Sequence, residues 1–361
     1  YGRNSKGKTL YKCIPDDPKL PVFLIPYVIK STGFLKKQQD HYVIFELCNW
    51  DTKRPVGKLL QNIGAINDNK AYYEYQLYRQ ELVEYYSIRQ LKLANTLVLR
   101  AMESRTIDSI VYDMEKRWNM ENRRDYEVIS IDPEGCRDFD DAFGMQVLED
   151  SKCISVYISN PAIWLEYLQL WDVLGAKVSS IYLPHRVVPM LPEILSTRLC
   201  SLVENADRPV LTMDITIVDN NITKIEYSLA IISVNKNYRY DESIRSNMYD
   251  NLLSVTKILQ KSRPYVSDEL DTHGIVAYYM MFMNHEVARI LYEKKVGIVR
   301  NRPGKILSNK NSNVEKVMEG YYGGGAKYVM SIESKGHGLI GYGLDHYTHI
   351  TSPIRRLVDM I

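Results

Sequence analysis

The five cysteines, Cys13, Cys48, Cys136, Cys153 and Cys200, form no C-x-x-C pair. That absence argues against a thiolate zinc site, and for a reducing compartment over a disulfide scaffold. No run of about 18 apolar residues occurs, so the sequence holds no transmembrane-helix candidate and no membrane partner is expected. A signal-type apolar region is missing from the start of the chain. The sequence opens on Tyr1, not Met, and stops at Ile361 inside an apolar-patterned run, so it reads as a piece of a longer protein. A strong charge of one sign is also lacking. Lys and Arg total 46 and Asp and Glu 44, a formal net charge of +2. Any polyanionic partner must therefore be held by a local basic patch, not by the field of the whole molecule. Phe is scarce, 6 against 28 Tyr. The tyrosines read either as stacking platforms for bases or as a coding bias shared with Lys, Asn and Ile.

What is present is ordinary globular material, 45% hydrophobic and 25% charged over 361 residues, enough for two or three domains. Residues 1 to about 78 are β-rich. "PVFLIPYVI" and "DHYVIFELCNW" are short β-branched and aromatic runs set between polar turns. They suggest a small OB-like barrel, with a sandwich fragment as the competing reading. From Leu77 to about Met120 the pattern becomes helical. "ELVEYYSIRQLKLANTLVLRAM" contains neither Gly nor Pro. Farther on, Leu211, Met213, Ile215 and Ile217 alternate with polar residues before a "DNN" turn and a returning strand. Two helical stretches follow, one carrying Leu252, Val255 and Leu259, the other spelled "IVAYYMMFMNHEVARILYEKK".

The stretch "SIDPEGCRDFDDAFG" gathers Asp132, Asp138, Asp140 and Asp141 within ten residues, directly after an apolar strand. Carboxylates this close raise one another's pKa unless a cation neutralises them. A hard divalent ion such as Mg²⁺ takes carboxylate oxygens. In an extended segment Asp138 and Asp140 would point the same way, and Asp132 could reach them across a turn. One ion or two are both open. So is the plainer reading of a solvated acidic loop. D-x-D pairs also serve glycosyltransferases and phosphotransferases, though nothing else in the sequence suggests a nucleotide-sugar pocket.

The end of the chain offers a counterpart, "HYTHITSPIRRLVDMI". Thr351 or Ser352 reads as an N-cap, Pro353 as the first helical residue, and Arg355 and Arg356 fall in the first turn. Two arginines there oppose the helix dipole, which makes sense if they hold a phosphate. The competing reading pairs them with Asp359. Carboxylates that bind metal, beside an arginine site for phosphate, meet the needs of phosphodiester hydrolysis.

Three ordered blocks carry a resemblance. "ISIDPEGCRDFDDAF", "SSIYLPHRVVPMLPEILSTRLCSL" and "HYTHITSPIRRLVD" resemble the ribonuclease II/ribonuclease R (RNB) family, which includes the exosome-associated exoribonuclease. The resemblance covers about 121 to 361, and residues 1 to 78 look like the cold-shock domain that precedes the family's catalytic domain. It implies an α+β architecture. A small OB-like (cold-shock) β-barrel over 1–78 and a helical connector over 79–120 would precede a large mixed α/β RNB catalytic domain over 121–361. A further catalytic-domain segment and an S1 domain would lie outside the chain. The implied activity is Mg²⁺-dependent, processive 3′→5′ exoribonuclease cleavage of single-stranded RNA to nucleoside 5′-monophosphates, with one or two ions and Mn²⁺ as a substitute. Asp132, Asp138, Asp140 and Asp141 fall on the family's metal-binding aspartates, Asp140 on the one whose loss abolishes cleavage while RNA binding persists. Tyr182 falls on the aromatic that packs against the 3′ nucleotide, Arg355 on the arginine that assists cleavage, and Arg356 on its basic neighbour. Arg300 sits in an R-x-H-x-x-P-like element in which Arg302 replaces the His. Where the family reads V-H-I-A-D, this chain has Tyr157 and Asn160 in place of His and Asp, so an altered support around the site is expected. Other subunits of an RNA-degradation complex are expected partners. The rival is an inactive RNA-binding scaffold that keeps the channel without the chemistry.

Overall fold

The computed structural model describes residues 2–4, 6–27, 39–51, 53–83, 88–175, 177–266, 270–301, 326–334 and 344–361. The chain divides into two compact units. One is 1–87 with 183–186, and the other is 88–182 with 187–361.

The first unit is a five-stranded sheet and a helix. Its strands are β1 (Gly2–Arg3), β2 (Thr9–Cys13), β3 (Phe23–Pro26), β4 (His41–Asn49) and β5 (Val56–Ala65), in the spatial order β1-β2-β3-β5-β4. Helix α1 (Asn69–Arg79) follows, capped by Asp68, whose side chain accepts the Lys70 N–H. Phe23 and Ile25 are buried, and the Phe23 ring lies 5.0 Å from that of Phe45. At Gly57 an added Cβ would meet the Glu46 carbonyl at 2.9 Å, so only glycine lets β4 and β5 approach there. Part of the expected barrel, residues 28–38, lies outside the described residues.

The second unit begins with α2 (Ile88–Ala101) and α3 (Ile107–Arg117). Although no Gly or Pro interrupts this stretch, Glu103 and Ser104 take positive φ (49° and 63°) and end α2. Thr106 then caps α3 by accepting the Ser109 N–H at 3.2 Å. The central sheet has seven strands: β6 (Glu121–Arg123), β7 (Val128–Asp132), β8 (Asp141–Val147), β9 (Lys152–Ser159), β12 (Asp207–Val218), β13 (Asn221–Ser233) and β14 (Lys236–Arg239). Two short strands, β10 (Ile181–Leu183) and β11 (Arg186–Val188), lie outside it. The spatial order is β14-β7-β8-β9-β12-β13-β6, with β14 parallel to β7, β6 parallel to β13 and the other pairs antiparallel. The β12–β13 hairpin turns at Asp219 and Asn220, both at positive φ, as a two-residue connection between right-twisted strands requires.

Alternation along the strands separates two cores. Phe143, Ile154, Val156, Ile158, Met213 and Ile215 cluster with the apolar faces of α5 (Asn247–Ser262) and α6 (Thr272–Lys294). Residues of α2, α3 and the short helix α4 (Pro161–Tyr167), among them Val98, Ile110, Met114 and Trp164, form a second cluster with Leu195, Leu199 and Ile354. A hairpin, β15 (Ile298–Asn301) with β16 (Lys327–Met330), precedes the last segment. No described helix is long and apolar enough to cross a membrane.

Residues 351–361 are not the α-helix that the T-S-P signal suggests. The chain makes a turn and then a 3₁₀ step at Leu357–Asp359. Arg356 is extended (φ −139°, ψ 127°) and bridges Ser179 in antiparallel fashion. The Ser352 N–H donates to the distant Asp359 carboxylate at 2.8 Å, which closes a turn in place of a helix start.

Candidate active site

Asp132 is the last residue of β7 and Asp141 the first of β8. Between them the chain turns at Pro133–Cys136 with Gly135 at φ +79°, where the left-handed region favours glycine. The rest of the loop is not extended strand, so Asp138 and Asp140 differ in setting: Asp138 is half-buried and Asp140 buried. Side chains from elsewhere hold the loop. Ser201 Oγ accepts the Phe139 N–H and donates to the Arg137 carbonyl, each at 3.0 Å. The Leu202 N–H donates to the Phe139 carbonyl and the Ser159 N–H to the Asp140 carbonyl. The C-S-L element thus acts as a strap over the acidic loop.

Asp140 is the meeting point. Its Oδ1 accepts the Ile354 N–H at 2.9 Å and its Oδ2 accepts Arg355 Nε at 3.2 Å, across more than two hundred residues. Arg355 is steadied by Nη2 donating to Ser352 Oγ at 2.9 Å. The Ser180 N–H donates to the Arg355 carbonyl and the Leu357 N–H to the Val178 carbonyl, each at 2.9 Å. That bridge sets Tyr182 beside Arg355. Tyr182 is 57% exposed as a residue, and its phenol is pushed up by partial burial and by the charges of Asp138 and Asp140.

The carboxylates are under electrostatic load. Burial pushes Asp132 up to about 6. It pushes Asp140 up to about 7 against the pull of Arg355. Asp141 is raised well above the usual carboxylate range by burial, then by the charges of Asp132 and Asp140. Among the described residues no three His, Cys, Asp or Glu side chains already surround a common point as a finished cage. Asp140 has both oxygens turned toward Ile354 and Arg355, which accounts for part of this. The donor set nonetheless fits a hard divalent cation. Asp132 Oδ2 and Asp141 Oδ2 are buried and accept no hydrogen bond, and burial together with the neighbouring carboxylates raises the pKa of both groups, a load that a cation would relieve.

Arg356 bonds Asp359, its Nη2 donating to Oδ2 at 2.7 Å. Arg300 lies in β15 opposite Tyr328, and its N–H donates to the Tyr347 carbonyl at 2.8 Å. The phenols of Tyr328 and Tyr347 both feel Arg300 and Arg356, so the two arginines flank one aromatic group. Arg302 lies outside the described residues.

Two neighbours of the site carried no sequence signal. The Tyr240 N–H donates to the Asp132 carbonyl at 3.1 Å, and its phenol is pushed up to about 12 by burial and by the charges of Asp141 and Asp132. Cys136 Sγ lies 3.9 Å from Asp132 Oδ1 and 3.8 Å from Asp138 Oδ1. Tyr240 follows a short edge strand with no periodicity of its own, and a single thiol in a turn has no motif.

Residues 120–247 match the family model described as the RNB domain. Ribonuclease R of Mycoplasmopsis pulmonis is 28% identical over 333 residues, covering 72% of this chain and 46% of that protein. The chain is therefore similar to the RNB family, most clearly over residues 120–247. It spans about half the length of that curated relative. Among solved structures, Mycoplasma genitalium RNase R in complex with double-stranded RNA superposes with a TM-score of 0.70 at 19% identity, over 95% of this chain and 72% of that one. Yeast Ssd1, described as a pseudonuclease, superposes with a TM-score of 0.63 at 14% identity, over 97% of this chain and 52% of that one.

The two departures from the RNB strand pattern have structural explanations. Tyr157 pairs with Ala142 and packs in a small cluster with Val128, Leu202 and Val210, whereas Ile158, paired with Asp141, belongs to the core under α5 and α6. Tyr157 therefore faces the side of the sheet opposite Asp141. Asn160 caps α4, its Oδ1 accepting the Ile163 N–H at 3.2 Å, a task that Asn performs as well as Asp.

Proposed function

We propose that this chain is the catalytic part of a Mg²⁺-dependent 3′→5′ exoribonuclease acting processively on single-stranded RNA and releasing nucleoside 5′-monophosphates. One observation carries the reading: Asp140 is gripped by Ile354 and Arg355, so the acidic loop and the arginine turn form a single site with Tyr182 at its edge. In this reading Asp132, Asp138, Asp140 and Asp141 hold the ion, one or two, with Mn²⁺ as a substitute. When bound, the metal supplies an acidified water and charge neutralisation at the leaving oxygen.

The protein's own groups do the rest. Tyr182 stacks on the 3′-terminal base, a grip that tolerates any sequence. Arg355, with its side chain 46% exposed and aimed by Asp140 and Ser352, neutralises charge developing on the phosphoryl oxygens. Arg356 and Arg300, beside Tyr347 and Tyr328, receive phosphates farther along the strand. Residues 1–78 are assigned as an OB-like cold-shock domain that guides RNA, 79–120 as the connector and 121–361 as the catalytic domain. Other subunits of an RNA-degradation complex are the expected partners.

A second reading is a scaffold that binds RNA without cutting it. The similarity to a pseudonuclease favours it; the complete set of four aspartates, with Arg355 in place, favours the enzyme. A time course on 5′-labelled single-stranded RNA, with Mg²⁺ and with EDTA, separates the two. Stepwise shortening only with Mg²⁺ supports the enzyme, and RNA bound but uncut supports the scaffold.

A further inference from the structure

Helix α6 is apolar along most of its buried face, and Asn284 interrupts it at 3% exposure. A buried amide is costly unless its polar atoms are bonded. The Asn284 bonds all run to one segment. Nδ2 donates to Tyr347 Oη at 3.1 Å and to Thr351 Oγ1 at 3.4 Å, and Oδ1 accepts the Ile350 N–H at 2.9 Å. The far end of that segment is held in the same manner. The Asp359 side chain is 0% exposed, and its Oδ2 accepts both the Ser352 N–H and Arg356 Nη2.

Residues 350–355 belong to no helix or strand, yet Thr351, Ser352 and Ile354 are at most 4% exposed. Buried backbone outside a ladder must find side-chain partners. Asn284 and Asp359 supply them, one at each end. Between the two anchors lie Ile354 and Arg355, the pair that grips Asp140.

We propose that Asn284 and Asp359 are the positioning residues of the site: they clamp residues 350–356 in the turn that delivers the Ile354 N–H and the Arg355 guanidinium to Asp140. Neither acts on RNA itself; each acts through Arg355. The assignment rests on the reading of Asp140 and Arg355 as the cleavage pair, and it adds Asn284, which lies outside both motifs, and gives Asp359, at the end of the arginine block, a positioning role.

The test uses the full chain and the variants Asn284→Ala and Asp359→Ala, each also combined with Arg355→Ala. Single-turnover cleavage of 5′-labelled RNA should fall by about 10- to 100-fold in each single variant, while RNA affinity in EDTA holds within about 3-fold. In the Arg355→Ala background the same changes should cost less than about 2-fold more, because residues acting through one another are non-additive. Asp359→Asn keeps an acceptor for Ser352 and should recover most of the rate. Equal losses in both backgrounds, or parallel losses of affinity and rate, would overturn the proposal in favour of simple structural support. Hydrogen exchange gives a readout free of activity. The Ile354 amide should exchange at least about 10-fold faster in Asn284→Ala while β7, β8 and β9 keep their protection. Unchanged exchange at Ile354 would overturn the clamp. If the unmodified chain cuts no RNA, the exoribonuclease reading fails, and the exchange result still decides whether the clamp exists.

Discussion

Asp140 shares its two oxygens between a backbone amide and a guanidinium, and this makes Asp140→Asn an informative single change at the site. The amide keeps the volume and one acceptor but loses the charge that orients Arg355. Cleavage should fall by at least about 10³-fold while RNA affinity in EDTA stays within a few-fold, since the change removes chemistry and leaves the groove. A comparable loss of affinity would show that Asp140 shapes the groove itself. Tyr182→Ala should loosen the grip on the last nucleotide and alter the length of the end product, read on a sequencing gel; unchanged product lengths would remove Tyr182 from that role. The unpartnered oxygens of Asp132 and Asp141 lead to a test without RNA. Mg²⁺ at about 100 times its Kd should raise Tm by roughly 3–5 °C, reversibly with EDTA, and the Asp132→Asn/Asp141→Asn pair should abolish the shift. A shift of the same size in that pair would place the ion elsewhere.

At the scale of elements, what was legible in the sequence followed periodicity. Met213, Ile215 and Ile217 alternate with polar residues because β12 has one face on the core, and that pattern reads directly as a strand. The break at Glu103 and Ser104 was not legible, because two ordinary residues take the left-handed conformation there without the Gly that usually marks it. The last segment misled for a clearer reason. Thr351, Ser352 and Pro353 look like a helix start, but Asn284 and Asp359 hold the Ile350 and Ser352 N–H groups, and the Ile354 N–H, which a cap would have served, goes to Asp140. The four aspartates and Arg355 were legible as a motif; Tyr240 and Asn284 were not, because each reaches the site through tertiary contacts. The sheet also carries a buried ion pair with a measurable role. Arg123, with its side chain 8% exposed, donates from Nη1 and Nη2 to Asp214 at 2.9 and 2.6 Å. Asp214→Ala would leave that guanidinium without its main buried partner and should cost about 3–5 kcal/mol in urea denaturation. A loss below about 1 kcal/mol would mean that Glu121 alone suffices for Arg123.

For the molecule as a whole, a net charge of +2 leaves little long-range attraction for RNA. In the proposed reading, binding then depends on a few arginines placed by the fold. If Arg355, Arg356 and Arg300 are the main phosphate contacts, log K should fall with log salt at a slope of about −2, from roughly 0.7 per contact on single strands. A slope several-fold steeper would point to an extensive basic path elsewhere on the chain. The similarity to nucleases and to a pseudonuclease alike leaves chemistry as the decisive question. The direct measurement is single-turnover decay of 5′-labelled single-stranded RNA by the full chain in Mg²⁺, beside Asp140→Asn and an EDTA control. The expected result is a descending ladder in Mg²⁺ alone, lost in the variant while RNA remains bound. RNA that stays intact in Mg²⁺ while fully bound would contradict it and make the chain a scaffold that retains a nuclease's residues.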